Sequence, residues 1–392
     1  MRGASQTSSA PKLPSAPRYG SASLADVAPA LLDALGVPGP NPFGFQPVRH
    51  ACLLLVDGLG FELLSTHRDV APFLTSACRY PIDAPYPTTT VASLASITTG
   101  RPPGEHGLLG PTVALADFDR PMNVLKWRLH GIGPEVDLTH VISPERFQPV
   151  PTVLERATAA GLDPVTVGPI EHEHSALSRA VLRCSSYVAV SSLAELVDAS
   201  ARALATGPRF VYTYYGGLDH IGHREGVASG RWLEELAGVD AAFGALVERL
   251  PAETMLVVVG DHGMVDVDAE GLVDVAQEPA LLDGVRLLAG EPRLRHVHAK
   301  VGAEQDVLGA WRERHGGIAW VLSREQTLAE GWFGPVVFEG ARARIGDVVA
   351  AAHLGVAVVQ SDLDPLQGAL VGHHGSLTDA ERHVPLVIVR HA

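Results

Sequence analysis

Three apolar runs constrain the fold of this chain more than any other feature. His50-Ala-Cys-Leu-Leu-Leu-Val56 runs into Asp57-Gly-Leu-Gly60. Arg209-Phe-Val-Tyr-Thr-Tyr-Tyr215 runs into Gly216-Gly-Leu-Asp219-His-Ile-Gly-His223, and Thr254-Met-Leu-Val-Val-Val-Gly260 ends in Asp261-His262-Gly263-Met264. Continuous rather than alternating hydrophobicity predicts strands covered on both faces, as in a parallel sheet. Helix-like segments at 24–35, 61–80, 151–161, 191–206 and 225–250 separate these runs, and 164–167 reads as a further short strand. Strands alternating with helices predict a doubly wound, mostly parallel α/β sheet with helices on both faces. In such sheets ligands sit outside the carboxyl ends of the strands, where Asp57, Asp219, Asp261 and His262 would gather.

This pattern divides the chain. Residues 1–22, rich in Ser, Pro and Ala, read as a flexible tail or strap. Residues 23–264 read as a catalytic core carrying a loop-rich flap at 108–150. Residues 265–370 read as a smaller α/β insertion or cap, with strands at 295–301 and 318–322 and helices at 304–314 and 324–330. The core resumes at Val371-Gly-His-His-Gly-Ser376 and closes with a strand at 384–389.

Composition narrows the function. A net charge of −14, with lysine only at Lys12, Lys126 and Lys300, argues against nucleic-acid duplexes as partners, because phosphate contacts need clustered cations. The longest apolar runs, about eight residues, are too short to span a membrane. The unpaired pattern of Cys52, Cys78 and Cys184 predicts a reducing, cytoplasmic setting. No signal for an oligomeric state is present.

The chemistry centres on Ala84-Pro-Tyr-Pro-Thr-Thr-Thr-Val-Ala-Ser-Leu-Ala-Ser-Ile-Thr-Thr-Gly100. Pro85 and Pro87 hold the approach extended, and Thr90 can cap a helix over roughly 91–98. The helix N-terminus suits a phosphoryl group, and a hydroxyl there is a candidate nucleophile if a base or metal activates it. The sequence supplies such groups. Asp219 and His223 stand four apart, Asp57, Asp261 and His262 follow strands, and His374 returns after the insertion. Six nitrogen and oxygen ligands suffice for two divalent metal ions, and imidazole with carboxylate suits zinc. Two such ions can clamp an in-line phosphoryl displacement.

At these residues the chain resembles the alkaline phosphatase superfamily, most closely its nucleotide pyrophosphatase/phosphodiesterase branch. The similar motifs are Val-Asp57-Gly-Leu-Gly, Pro87-Thr-Thr-Thr90 leading to Thr99-Gly100 and His106-Gly107, Leu-Asp219-His-Ile-Gly-His223, Gly-Asp261-His262-Gly-Met and His374-Gly. The resemblance implies one zinc ion held by Asp219, His223 and His374, and a second held by Asp57, Asp261 and His262 with Thr90. It implies that Thr90, ten residues before Gly100, is the nucleophile of a covalent phospho-threonine route acting on a small phosphate-ester or nucleotide-like substrate. Where that branch carries asparagine three residues after the nucleophile, this chain has Ser93, a shorter donor to the transferred group. Asn123, Lys126 or Arg128 in the flap can substitute as phosphate contacts. Cleavage of a phosphonate C–P bond, phosphomonoester hydrolysis, or non-catalytic binding of a phosphorylated ligand are the competing readings.

Overall fold

The computed structural model describes residues 12–205, 207 and 210–391. Seven strands make the central sheet: β1 (His50–Val56), β2 (Cys78–Asp83), β3 (Val165–Pro169), β4 (Ser186–Val190), β5 (Phe210–Tyr215), β6 (Thr254–Gly260) and β7 (His383–His391). Their spatial order is β2-β7-β6-β1-β5-β3-β4. All run parallel except β7, which is antiparallel to both of its neighbours. The mostly parallel α/β fold read from the three apolar runs is the one observed.

The alternation along β1 shows why those runs are continuously apolar. Cys52, Leu54 and Val56 enter one buried cluster with Trp232 and Phe243, whereas Ala51, Leu53 and Leu55 enter a second with Leu31 and Leu154. Both faces of the sheet are therefore roofed, which a strand with one polar face could not tolerate. Register places the chemistry. Val56 pairs with Tyr215 on one side and Gly260 on the other, so the three central strands end at one level.

Two segments depart from the sequence expectation. The stretch 61–80, expected as one helix, is two short helices, Phe61–Thr66 and Pro72–Ala77, followed by β2. Pro72 begins the second helix, and its fixed φ and missing N–H are tolerated there but not inside a longer helix. The expected helix at 225–250 is likewise preceded by another: Gly217–Glu225 ends at Gly226, whose φ is 89°, and Gly230–Val247 starts anew, capped by Ser229. Of the expected tail, residues 1–11 lie outside the described residues, whereas 12–22 form a bound strap. Arg18 pairs with Asp83 at 2.8 Å, the Tyr19 hydroxyl donates to the Trp332 carbonyl, and Arg382 reaches the Ser15 carbonyl.

The insertion contains a four-stranded antiparallel sheet of Val285–Glu291, Leu294–Ala299, Val348–Ala352 and Ala319–Ser323, in that order, with the helix Glu304–His315. Its tie to the core is a buried ion pair: the Arg293 guanidinium donates to both Glu381 oxygens at 2.7 and 2.8 Å and to the Leu354 and Val356 carbonyls. The flap carries a small sheet of Thr112–Val113, Met122–Asn123 and Arg128–Leu129, and shares an apolar cluster with the insertion through Met122, Trp127, Leu294 and Val349. Flap and insertion together roof the carboxyl ends of the central strands. Among the described residues no helix is long and apolar enough to cross a membrane.

Candidate active site

Asp57 immediately follows β1 and Asp261 immediately follows β6, so the register sets them side by side. The Gly58 and His262 amides both donate to Asp261 Oδ1 at 2.9 Å, which fixes the carboxylate and leaves Oδ2 facing His262 Nε2 at 3.3 Å. His262 Nε2 also lies 3.3 Å from Asp57 Oδ1. The ligand atoms of Asp57, Asp261 and His262 lie within 4.8 Å of one another. A second triad of the same compactness comprises Asp219, His223 and His374. The helix Gly217–Glu225 supplies the first two at i and i+4, hence on one face, with His223 Nε2 3.3 Å from Asp219 Oδ1. His374 arrives on the returning chain, where Gly372–His373 pairs with Val265–Asp266. The His262 and His374 rings stack at 3.6 Å, so the two triads adjoin.

The protein holds each imidazole by its Nδ1. His223 Nδ1 donates to the Gly372 carbonyl at 2.8 Å, His262 Nδ1 to that of Gly263 at 3.1 Å and His374 Nδ1 to that of Thr88 at 3.0 Å. The Nε2 lone pairs are thereby left to point into the cluster, the arrangement found around metal-ligating histidines. Asp219 Oδ1 and Asp261 Oδ2 are buried without a hydrogen-bond partner. Burial pushes both carboxyls up to about 7, and pushes Asp57 well above its usual range, with the Asp261 charge adding to it. Burial lowers His262 to about 3 and His374 well below its usual value. Two buried acids and a half-buried third, crowded together with three imidazoles, form a donor set that fits two divalent cations, whose charge would reverse the shifts of the acids.

The threonine run ends beside this cluster. Thr89, not Thr90, is the helix N-cap, and its side chain accepts from the Ala92 amide at 3.3 Å. Thr90 is the first residue of the helix Thr90–Thr99, which closes at Gly100 with φ 70°. That one-residue shift frees the Thr90 hydroxyl from capping. Its oxygen lies 3.3 Å from His262 Nε2 and 3.5 Å from Asp57 Oδ1.

The expected substrate contacts divide. Ser93 is fully buried and donates to the Asp261 carbonyl at 2.7 Å, so its hydroxyl braces the β6 turn instead of facing a substrate. Asn123 lines one cavity with Thr90, His223 and His374, and Lys126 lines another with Thr90 and Asp57. Arg128 instead pairs with Glu135 at 2.6 Å. Two residues beyond the sequence expectation complete the site. The Tyr214 hydroxyl donates to Asp57 Oδ2 at 2.5 Å, and Glu291 of the insertion enters the cavity shared by Thr90 and Asn123. Tyr214 was hidden in a run of strand aromatics, and Glu291 in a Gly-Glu-Pro turn like many others.

The fold defines the class: an alkaline-phosphatase-like α/β fold. Residues 51–377 match the family model described as type I phosphodiesterase / nucleotide pyrophosphatase, and the chain belongs to that family. Solved structures of similar fold include murine ectonucleotide pyrophosphatase/phosphodiesterase 5, 16% identical with a TM-score of 0.64, covering 86% of this chain and 87% of that one. Phosphonoacetate hydrolase from Sinorhizobium meliloti 1021, in complex with phosphonoformate, is 18% identical with a TM-score of 0.65, covering 88% and 91%. A short segment is also similar to the catalytic subunit of human GPI ethanolamine phosphate transferase 3, 43% identical over 51 residues. That match covers 13% of this chain and spans only 5% of the relative's length.

Proposed function

We propose that this enzyme is a phosphodiesterase or nucleotide pyrophosphatase that uses Thr90 as its nucleophile and two divalent ions, zinc by the chemistry of the ligands. The observation that carries the reading is the Thr90 hydroxyl at a helix N-terminus, 3.3 Å from His262 Nε2 and 3.5 Å from Asp57 Oδ1. Asp219, His223 and His374 would hold one ion, and Asp57, Asp261 and His262 the other. When bound, the ions would supply Lewis acidity to the phosphoryl oxygens and make hydroxyl and water better nucleophiles at neutral pH.

Thr90 Oγ1 then forms a bond to phosphorus as one ester bond breaks and the alcohol departs. Water cleaves the resulting phospho-threonine, which releases a phosphomonoester and restores the hydroxyl. The partial positive charge of the Thr90–Thr99 helix N-terminus favours the anionic group throughout. Asn123 and Lys126 are the side chains we assign to contact it. Lys126 also keeps a second reading in view. A cation in a cavity shared with Thr90 and Asp57 suits a substrate with an additional anionic group, such as a phosphomonoester or a phosphonate. The three cysteines are unpaired, in keeping with a reducing compartment for the working enzyme.

The test is hydrolysis of bis-p-nitrophenyl phosphate, with metal content measured on the same samples. Wild type is expected to carry two zinc equivalents and turn over the diester, and Thr90→Ala to lose roughly 10³-fold or more in kcat. A Thr90→Ala protein that retains wild-type turnover would remove the nucleophile assignment.

A further inference from the structure

We propose that the Glu291 carboxylate recognises a protonated amine carried by one arm of the substrate. The inference rests on the phosphodiesterase reading above and adds a substrate class to it.

Glu291 ends the strand Val285–Glu291 at the tip of the hairpin that the insertion lowers onto the core. Its residue is 8% exposed, and Oε1 is buried with no hydrogen-bond partner. The neighbouring arginines make their hydrogen bonds elsewhere, and Arg295 acts on Glu291 through its charge alone. Arg293 is bound to Glu381, and Arg295 donates to the Val358 carbonyl at 2.7 Å and to Gln367 Oε1 at 2.5 Å. His374 Nδ1 lies 3.6 Å from Glu291 Oε2, too far for a hydrogen bond, and already donates to Thr88 at 3.0 Å. The approach is made possible by Gly375, where a Cβ would stand 2.9 Å from Glu291 Cγ.

Glu291 lines a cavity of about 330 Å³ that also contains Thr90, Asp219, His223 and His374. The remaining polar wall offers mainly acceptors and neutral groups: Asn123, Gln367, and Asp364, which is paired with His130 at 3.2 Å. An acid left without a partner in such a place is costly, and a ligand that brings the missing cation relieves that cost with a charge-assisted hydrogen bond. An ammonium group is the smallest ligand part that does so. A phosphoryl group at Thr90 with an aminoalkyl arm directed toward the insertion satisfies both ends of the cavity.

The experiment compares binding of 2-aminoethylphosphonate and n-propylphosphonate to the metal-loaded protein by calorimetry. The two probes differ by an ammonium in place of a methyl group. Wild type is expected to bind the amine at least about tenfold more tightly. Glu291→Gln, matched in size, is expected to bring the two affinities together, and Glu291→Asp to leave an intermediate preference. Equal affinities in wild type would overturn the proposal without recourse to any variant. So would a preference that survives in Glu291→Gln, or an equal loss for both probes, which would mark Glu291 as a positioning residue for His374. Turnover of bis-p-nitrophenyl phosphate reports separately on the phosphodiesterase reading. Activity without amine preference would remove the amine site alone.

Discussion

Tyr214 shows how a single hydroxyl sets the direction of a candidate ligand. By donating to Asp57 Oδ2 it leaves Oδ1 facing Thr90 and His262, and burial raises its pKa well above the usual phenol range, so it remains a donor. Partners of this kind orient metal ligands, and their removal weakens metal affinity by about 10- to 100-fold. Tyr214→Phe is expected to show that loss in a chelator-competition titration while its thermal unfolding stays near wild type. Unchanged metal affinity would show that Asp57 needs no such partner. At this scale the sequence was legible where chemistry follows a strand end. Asp57, Asp219, Asp261, His262 and Thr90 all come together near the places that β1, β5, β6 and a helix start predicted. It was illegible where orientation decides. Ser93 and Thr89 carry hydroxyls like that of Thr90, and only the helix phase separates one that caps, one that braces and one that faces the cluster.

At the scale of elements, punctuation by single residues governed what could be read. The continuous runs of β1, β5 and β6 declared buried parallel strands because no residue in them interrupts the pattern. Helical segments at 61–80 and 225–250 were harder, since single residues, Pro72 and Gly226, set where one helix gives way to the next. The strands Val285–Glu291 and Val348–Ala352 escaped notice because their pairing is to the insertion's own sheet, a long-range fact with no local mark. The element contact most exposed to test is the hairpin tip held by Arg293 and Glu381. Both side chains are buried, so loss of one partner strands the other. Arg293→Met is expected to lower stability by about 3–5 kcal/mol in urea unfolding. A change within experimental error would show that the Glu381 contacts to Ser376 and Thr378 suffice.

Across the whole molecule, the large histidine content becomes a liability in acid. His106, His296 and His298 lie outside both triads, and burial lowers each to about 3, with nearby charges such as Arg344 beside His106 adding to the effect. In the unfolded chain they titrate at about 6.5. Because the folded form binds their protons less tightly, their contribution to stability is complete above that pH and is lost as pH falls toward the folded values. The metal-loaded protein is expected to show a falling urea midpoint from pH 7 to pH 5. His106→Gln should reduce the slope by close to one proton, and an unchanged slope would show that His106 is not held neutral.

The origin of the two sides of the cavity has a further consequence for how such an enzyme can diverge. Asp57, Asp261 and His262 follow central strands directly, and Asp219 and His223 sit on the helix that follows β5, so sheet register locks most of the acids and imidazoles. Glu291, Asn123 and the His130–Asp364 pair come from the roof, on segments that the register of the central sheet does not constrain. Descent with modification can therefore rewrite the roof and exchange one clientele for another, while the inherited reaction passes unaltered from ancestor to descendant.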